Sequence, residues 1–124
     1  MAKILLLLGS FFAFLAVAFG AFGAHMLRDT LSAEMMHVFE TGVRYQMYHA
    51  FGIFIAAWAL HSFRLRGAAT AGSLFAAGIV LFSGSLYAMA VTGVRWFGIV
   101  TPFGGICFLL GWLWLAWGVW KEAR

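Results

Sequence analysis

Two residues that could do chemistry stand in an unexpected place. Gln46 and His49 lie in the apolar segment YQMYHAFG, residues 45–52. A polar side chain without a hydrogen-bond partner in hydrocarbon costs several kcal/mol. On a helix that continues from residue 33, both side chains fall on the apolar face, and His49 lies about 8 Å deeper than Arg44. We therefore expect both to face protein or a water-filled cavity rather than lipid.

Other polar side chains are predicted at a matching depth, toward the outer surface of the membrane. With Gln46 and His49 they would form a polar pocket for a small molecule or a lipid head group, and the arginines favour an anion. Such a protein would be a binder or a transporter protomer. Histidine and serine also often bond within a structure and hold no ligand. The candidate ligand-binding residues are His25, Arg28, Arg44, Tyr45, Gln46, Tyr48, His49, Ser83 and Ser85.

Metal or haem chemistry is a weaker alternative. The pairs HM at 25–26 and MYH at 47–49 combine thioether and imidazole, a ligand set suited to Cu(I). The ligands would be His25, Met26 and His49, and two facing histidines could hold haem. Methionine is more often apolar filler, and we expect no cofactor. The single Cys107 excludes an internal disulfide and a zinc site built on several cysteines.

The chain gives only weak support for an enzyme. We find no Ser–His–Asp order with plausible geometry, no phosphate loop and no paired carboxylates within the apolar segments. The best case for proton transfer is Glu34 or Glu40 with His37, but these residues belong to a polar surface segment, where solvation is the ordinary role.

The composition indicates an integral membrane protein. Of 124 residues, 65% are hydrophobic and 10% are charged, whereas soluble domains carry roughly a quarter charged residues. The net charge of +4 is spread over loops and ends, and no basic run with interleaved aromatics predicts nucleic-acid binding.

The apolar segments predict one all-α transmembrane domain over residues 1–124, a four-helix bundle in the lipid bilayer. Ser32 is a suitable N-cap for an amphipathic helix on the outer membrane surface, between the first two spans. Thr101 and Pro102 are suitable first residues for the last span. The predicted spans are residues 4–26, 43–60, 68–91 and 103–120, with the interfacial helix at residues 33–42.

The charged residues predict the orientation of these spans. Five cations (Lys3, Arg64, Arg66, Lys121 and Arg124) would share the side of both termini, against Arg28, Arg44 and Arg95 on the other side. The positive-inside rule then places both termini in the cytoplasm. Trp112, Trp114, Trp117 and Trp120 would form an interfacial aromatic belt at the same side.

Residues 9–26 and 72–89 align without gaps, with seven identities in eighteen positions. A duplication would give a parallel repeat of two spans per half, although apolar helices also match by chance. Two stripes of small residues, Gly104/Gly111/Gly118 and Gly72/Ala76, allow close helix contact. They could pack inside the chain, between copies in a homo-oligomer, or against a larger membrane complex in which this chain is an accessory subunit.

Four segments carry a resemblance to a known family: GAFGAHML (20–27), TGVRYQMYHA (41–50), LFSGSLYAMAVTG (81–93) and TPFGG (101–105). In these, and in their order over nearly the whole chain, the protein resembles the YgdD-like family of small bacterial membrane proteins. This is domain of unknown function 423, related to transmembrane protein 256 of mitochondria. The resemblance implies a four-span protein of the bacterial inner membrane and brings no activity, substrate or cofactor. The family's motif histidines would correspond to His25 and His49, with Tyr45, Gln46 and Ser83–Ser85 beside them.

Overall fold

Four long helices and one short 3₁₀ turn make up the protein in a computed structural model that describes residues 1–122. Two of the long helices each contain a five-residue π-helical segment, at Phe19–Gly23 and Ile79–Ser83. The helices are α1 (Ala2–Leu27), α2 (Ala33–Ser62), α3 (Gly67–Thr92) and α4 (Thr101–Glu122), and the 3₁₀ turn is Arg95–Ile99.

Helix α2 corrects the predicted boundary between an interfacial helix and the second span. Ser32 does cap the helix, since its hydroxyl accepts from the Met35 backbone N–H at 3.1 Å. The helix then continues without interruption to Ser62, so residues 33–42 are its first turns and not a separate element. No proline lies between Ser32 and Ser62 to end the first segment, and Gly42 packs inside the bundle without breaking the helix.

Three segments in the described part of the chain are long and apolar enough to cross a membrane: α1, α3 and Arg95–Glu122, which joins the 3₁₀ turn to α4. Helix α2 does not meet the same criterion. That α2 crosses the bilayer remains a prediction, supported by its thirty residues and its place between α1 and α3. Thr101 begins α4, as the sequence predicts.

Neighbouring helices are antiparallel, as the residue pairs in contact show. Along α1 and α2, Gly9 lies against Phe54 and Gly23 against Phe39. The next pair, α2 and α3, brings Gly42 to Tyr87 and Gly52 to Phe75. The starts of α1 and α3 and the ends of α2 and α4 therefore share one end of the bundle, here called the termini end. The other end is called the loop end.

The main apolar core lies toward the termini end, around Leu5, Ile53, Leu65 and Phe75, each at most 2% exposed. Helix α2 contacts α1 on one side and α3 on the other, and α4 packs on α3. In a two-fold repeat, α1 would correspond to α3 and α2 to α4. The contact between α2 and α3 would then have an equivalent between α4 and α1. Within residues 1–122, α1 and α4 share no such interface, so this packing is not two-fold and the duplication stays a prediction.

The glycine stripes are used inside the chain. A Cβ at Gly104 would overlap the backbone of Phe82, and one at Gly111 would lie 2.6 Å from the Phe75 ring. Gly72 is filled in the same way by Leu5, at 2.8 Å. At these three glycines the close approach is already taken by neighbouring helices, whereas a Cβ at Gly118 would meet nothing within 4 Å. An association of copies through these stripes stays a prediction.

Candidate functional site

Gln46 joins three helices. Its side-chain Nε2 donates to the Phe12 carbonyl on α1 at 2.7 Å, and its Oε1 accepts from the Tyr87 hydroxyl on α3 at 2.6 Å. The residue is 2% exposed. The amide faces protein, as its place on the apolar face of the helix predicts, and donates and accepts at once.

Ser83 makes a second link between α2 and α3. Its hydroxyl donates to the Gly42 carbonyl at 2.6 Å, and the residue is fully buried. Gly42 also admits the Tyr87 ring, since a Cβ there would lie 2.8 Å from Tyr87 Cε1. Gln46, Ser83 and Tyr87, with the two carbonyls of Phe12 and Gly42, are called the polar clasp below.

Ser85 belongs to a different contact, between α3 and the start of α4. Its hydroxyl donates to the Phe82 carbonyl at 2.8 Å, which leaves its oxygen to accept from the Thr101 hydroxyl at 2.6 Å. The two serines predicted as ligands are thus both used in bonding within the chain.

Both ring nitrogens of His49 have protein partners. Nδ1 lies 2.7 Å from the Tyr45 carbonyl, and the Trp112 indole N–H donates to Nε2 at 3.1 Å. A carbonyl only accepts and an indole only donates, so the ring is neutral with its proton on Nδ1. The ring stacks on Phe108 at 3.5 Å between centroids. His49 therefore has no free nitrogen for a metal, a haem or a transferable proton.

The predicted convergence of His25 on His49 is wrong. Gly23 lies against Phe39, and ten residues of α2, about 15 Å, separate Phe39 from His49. His25 therefore lies at the level of the first turns of α2, and its side chain is exposed. Met26 is also exposed, at 76%, so the alternative metal set of His25, Met26 and His49 does not come together either.

The remaining predicted ligand residues lie on the outside of the bundle. Arg28 and Arg44 are exposed, and Arg44 donates to the Thr41 hydroxyl at 3.3 Å. Tyr45 and Tyr48 are 39% and 56% exposed. No buried side-chain nitrogen or oxygen in residues 1–122 lacks a hydrogen-bond partner. The buried polar residues thus bond within the chain, and the exposed ones do not join them in one enclosed pocket.

An open groove of about 460 Å³ lies between α2 and α4, toward the loop end. The helix backbones do not pack closely here, and the gap is bridged by the stacked His49 and Phe108 rings and by the Trp112 indole. The groove, called the α2–α4 groove below, is lined by Tyr45, His49, Phe82, Pro102, Gly105, Ile106, Phe108, Leu109 and Trp112.

The role of Trp112 differs from the one that its sequence predicts. The spacing of the tryptophans places it in an interfacial belt with Trp114, Trp117 and Trp120. Nine residues before Lys121, Trp112 lies about 13 Å from the helix end, too deep for the belt and at the level of His49. The matching depths of Trp112 and His49 could have predicted their contact from the sequence, since a buried imidazole needs a donor for its second nitrogen.

The bond between Gln46 and Tyr87 can be measured by a double-mutant cycle of Gln46→Leu and Tyr87→Phe. Hydrogen bonds between helices in membrane proteins are worth about 0.6 to 1.7 kcal/mol in such cycles. We expect a coupling of about 1 kcal/mol in the free energy of unfolding, measured in mixed micelles. Tyr48→Phe on the exposed face is the control and should change stability by less than about 0.5 kcal/mol. Additive effects of Gln46→Leu and Tyr87→Phe would contradict the clasp.

Comparison with known proteins identifies the family. The family model described as "Protein of unknown function (DUF423)" matches residues 19–105. The UPF0382 membrane protein YwdK of Bacillus subtilis is 45% identical over 112 residues, which are 90% of this chain and 91% of that protein.

Two further relatives are also UPF0382 membrane proteins. A UPF0382 membrane protein of Staphylococcus epidermidis is 43% identical over 90% of both chains. The UPF0382 inner membrane protein YgdD of Escherichia coli is 38% identical over 90% of this chain and 85% of that protein. No solved structure matches the chain. The expected family is confirmed: this chain belongs to the DUF423 family and is, like these relatives, a membrane protein.

Proposed function

We propose that the protein binds one amphiphilic molecule of the bilayer in the α2–α4 groove. The proposal rests on one observation: α2 and α4 do not pack closely, because the side chains of His49, Phe108 and Trp112 lie between them. The groove volume of about 460 Å³ is within the range of small-molecule sites, which is about 300 to 1,000 Å³.

The chemistry of the groove favours an apolar body with a polar end. Its walls are aromatic and aliphatic, and within the described residues the Tyr45 hydroxyl has no recorded hydrogen-bond partner. Arg44 does not line the groove. A hydroxyl beside an apolar groove matches a lipid or a lipid-like molecule.

Binding is better supported than transport or catalysis. A transport path needs polar groups that can exchange partners, whereas Gln46, Ser83 and Ser85 are all bonded within the chain. His49 has no free nitrogen for proton transfer. The ligand site proposed here therefore keeps Tyr45 and His49 of the predicted set as wall residues and leaves out His25 and Arg28.

An accessory role in a larger membrane complex is the second candidate. Another groove, of about 310 Å³, follows the same α2–α4 seam at the termini end, between Trp58 and Leu115. A seam that stays open toward both ends could take a helix of a partner protein. Photo-crosslinking distinguishes the two functions, because a partner would give a protein adduct where the first proposal gives a lipid adduct.

Binding is tested with a substitution whose side chain fills the α2–α4 groove. A Cβ at Gly105 meets only Phe82 Cδ2 at 3.9 Å, so Gly105→Leu can enter the groove without displacing backbone. The matched control is Gly84→Leu, at a helical glycine with nothing within 4 Å of its Cβ. The probe is a phospholipid with a diazirine in its acyl chain, in vesicles.

We expect adducts on the peptide that contains Ile106 and Leu109. Gly105→Leu should reduce their yield about tenfold, which corresponds to a loss of about 1.4 kcal/mol in the free energy of binding. Gly84→Leu should leave them unchanged. Labelling of these residues no stronger than that of Phe14, an exposed residue of α1, would contradict a specific site.

The membrane and its orientation are part of the proposal. The relative YgdD is named an inner membrane protein, and we infer the cytoplasmic membrane of a bacterium for this chain. The excess of Lys and Arg at the termini end supports a cytoplasmic position for both termini. Of the cations behind that prediction, Arg124 lies outside the described residues.

This orientation predicts the behaviour of C-terminal fusions. A fused green fluorescent protein should fluoresce and a fused alkaline phosphatase should be inactive, because the first folds in the cytoplasm and the second needs the periplasm to form its disulfides. Both reporters placed after Gly93 should behave in the opposite way. An active phosphatase at the C-terminus would overturn the orientation.

A further inference from the structure

A second groove, distinct from the proposed α2–α4 site, lies at the termini end between the start of α1 and the last turns of α2. Its volume is about 430 Å³. Leu6, Phe54 and Trp58 form its apolar part, and Lys3 and His61 stand at its rim. We propose that this groove binds an anionic phospholipid, with the phosphate beside Lys3 and His61 and an acyl chain along Leu6 and Phe54.

The charges around the groove support an anion. Lys3 and His61 are both exposed, and within the described part of the chain neither side chain makes a hydrogen bond or an ion pair. The chain has four acidic residues, and only Glu122 belongs to the termini end. Its carboxylate lies beside Gly67, on the α3–α4 side of the bundle. No acidic side chain therefore neutralises Lys3.

The apolar half of the groove supports a lipid rather than a free anion. Leu6 is 49% and Trp58 is 59% exposed, so both present surface to the hydrocarbon next to a cationic rim. Tryptophan is enriched at the boundary between head groups and acyl chains. A phosphate bound at Lys3 would have its chains directed along this surface, whereas inorganic phosphate would leave it unused.

The remaining cations of this end allow a matched control. Lys121 lies 4.8 Å from the centroid of the Trp117 ring on α4 and is not part of the groove. Lys3→Gln and Lys121→Gln remove the same charge from the same end of the bundle. Binding at a specific site depends on Lys3 and not on Lys121, whereas general attraction to an anionic surface depends on both lysines.

The experiment is native mass spectrometry of the full chain titrated with phosphatidylglycerol, and with phosphatidylcholine of the same acyl chains. We expect phosphatidylglycerol to bind preferentially and Lys3→Gln to weaken it about fivefold, the effect of one lysine near an anionic surface. Lys121→Gln should leave the affinity unchanged. Equal melting temperatures of the two variants would show that both remain folded.

Three results would overturn the proposal: equal losses in the two variants, no loss in Lys3→Gln, or equal binding of the two lipids. Glycerol phosphate, which carries the head-group charge without acyl chains, should not compete; competition would identify a free-anion site instead. Gly105→Leu should leave this binding intact, so the result is independent of the α2–α4 groove.

Discussion

The structure depends on one constraint: a polar side chain buried among apolar helices must find its partners in the protein. Gln46 satisfies this constraint on two sides at once, with a carbonyl of α1 and a phenol of α3. Ser83 adds a bond from α3 to the Gly42 carbonyl. Breaking such a bond would leave a polar group without a partner in apolar surroundings, which is costly. The polar clasp therefore fixes the order and register of α1, α2 and α3.

Helix α4 is held differently. It packs closely on α3, where Gly104 and Gly111 admit Phe82 and Phe75, but it meets α2 through side chains. The Trp112 indole donates to His49, and Phe108 stacks on the same ring. Three aromatic groups in this space keep the two backbones apart. The α2–α4 groove is thus a consequence of the way in which His49 obtains its second hydrogen bond.

Periodicity and composition were sufficient for much of this arrangement. The four apolar segments, the Ser32 cap, the start of α4 at Thr101 and the inward direction of Gln46 and His49 all follow from residue types and helical angles. The depth of His25 did not follow, because it depends on the register of α1 against α2. The small-residue stripes indicated close contact but not its partner, since a glycine admits an intrachain ring as readily as a second copy.

The central claim is that Gln46 and His49, the buried polar residues of α2, find their hydrogen-bond partners within the chain and are structural. The ¹⁵N spectrum of the His49 ring in bilayers, from protein labelled at histidine, tests it most directly, with His49→Gln to assign the signal. We predict a single neutral tautomer with its proton on Nδ1 and an unprotonated Nε2 that accepts from Trp112, and a shift of the Nε2 signal in Trp112→Phe. A ring protonated on Nε2, or one whose Nε2 signal does not respond to Trp112→Phe, would contradict the account.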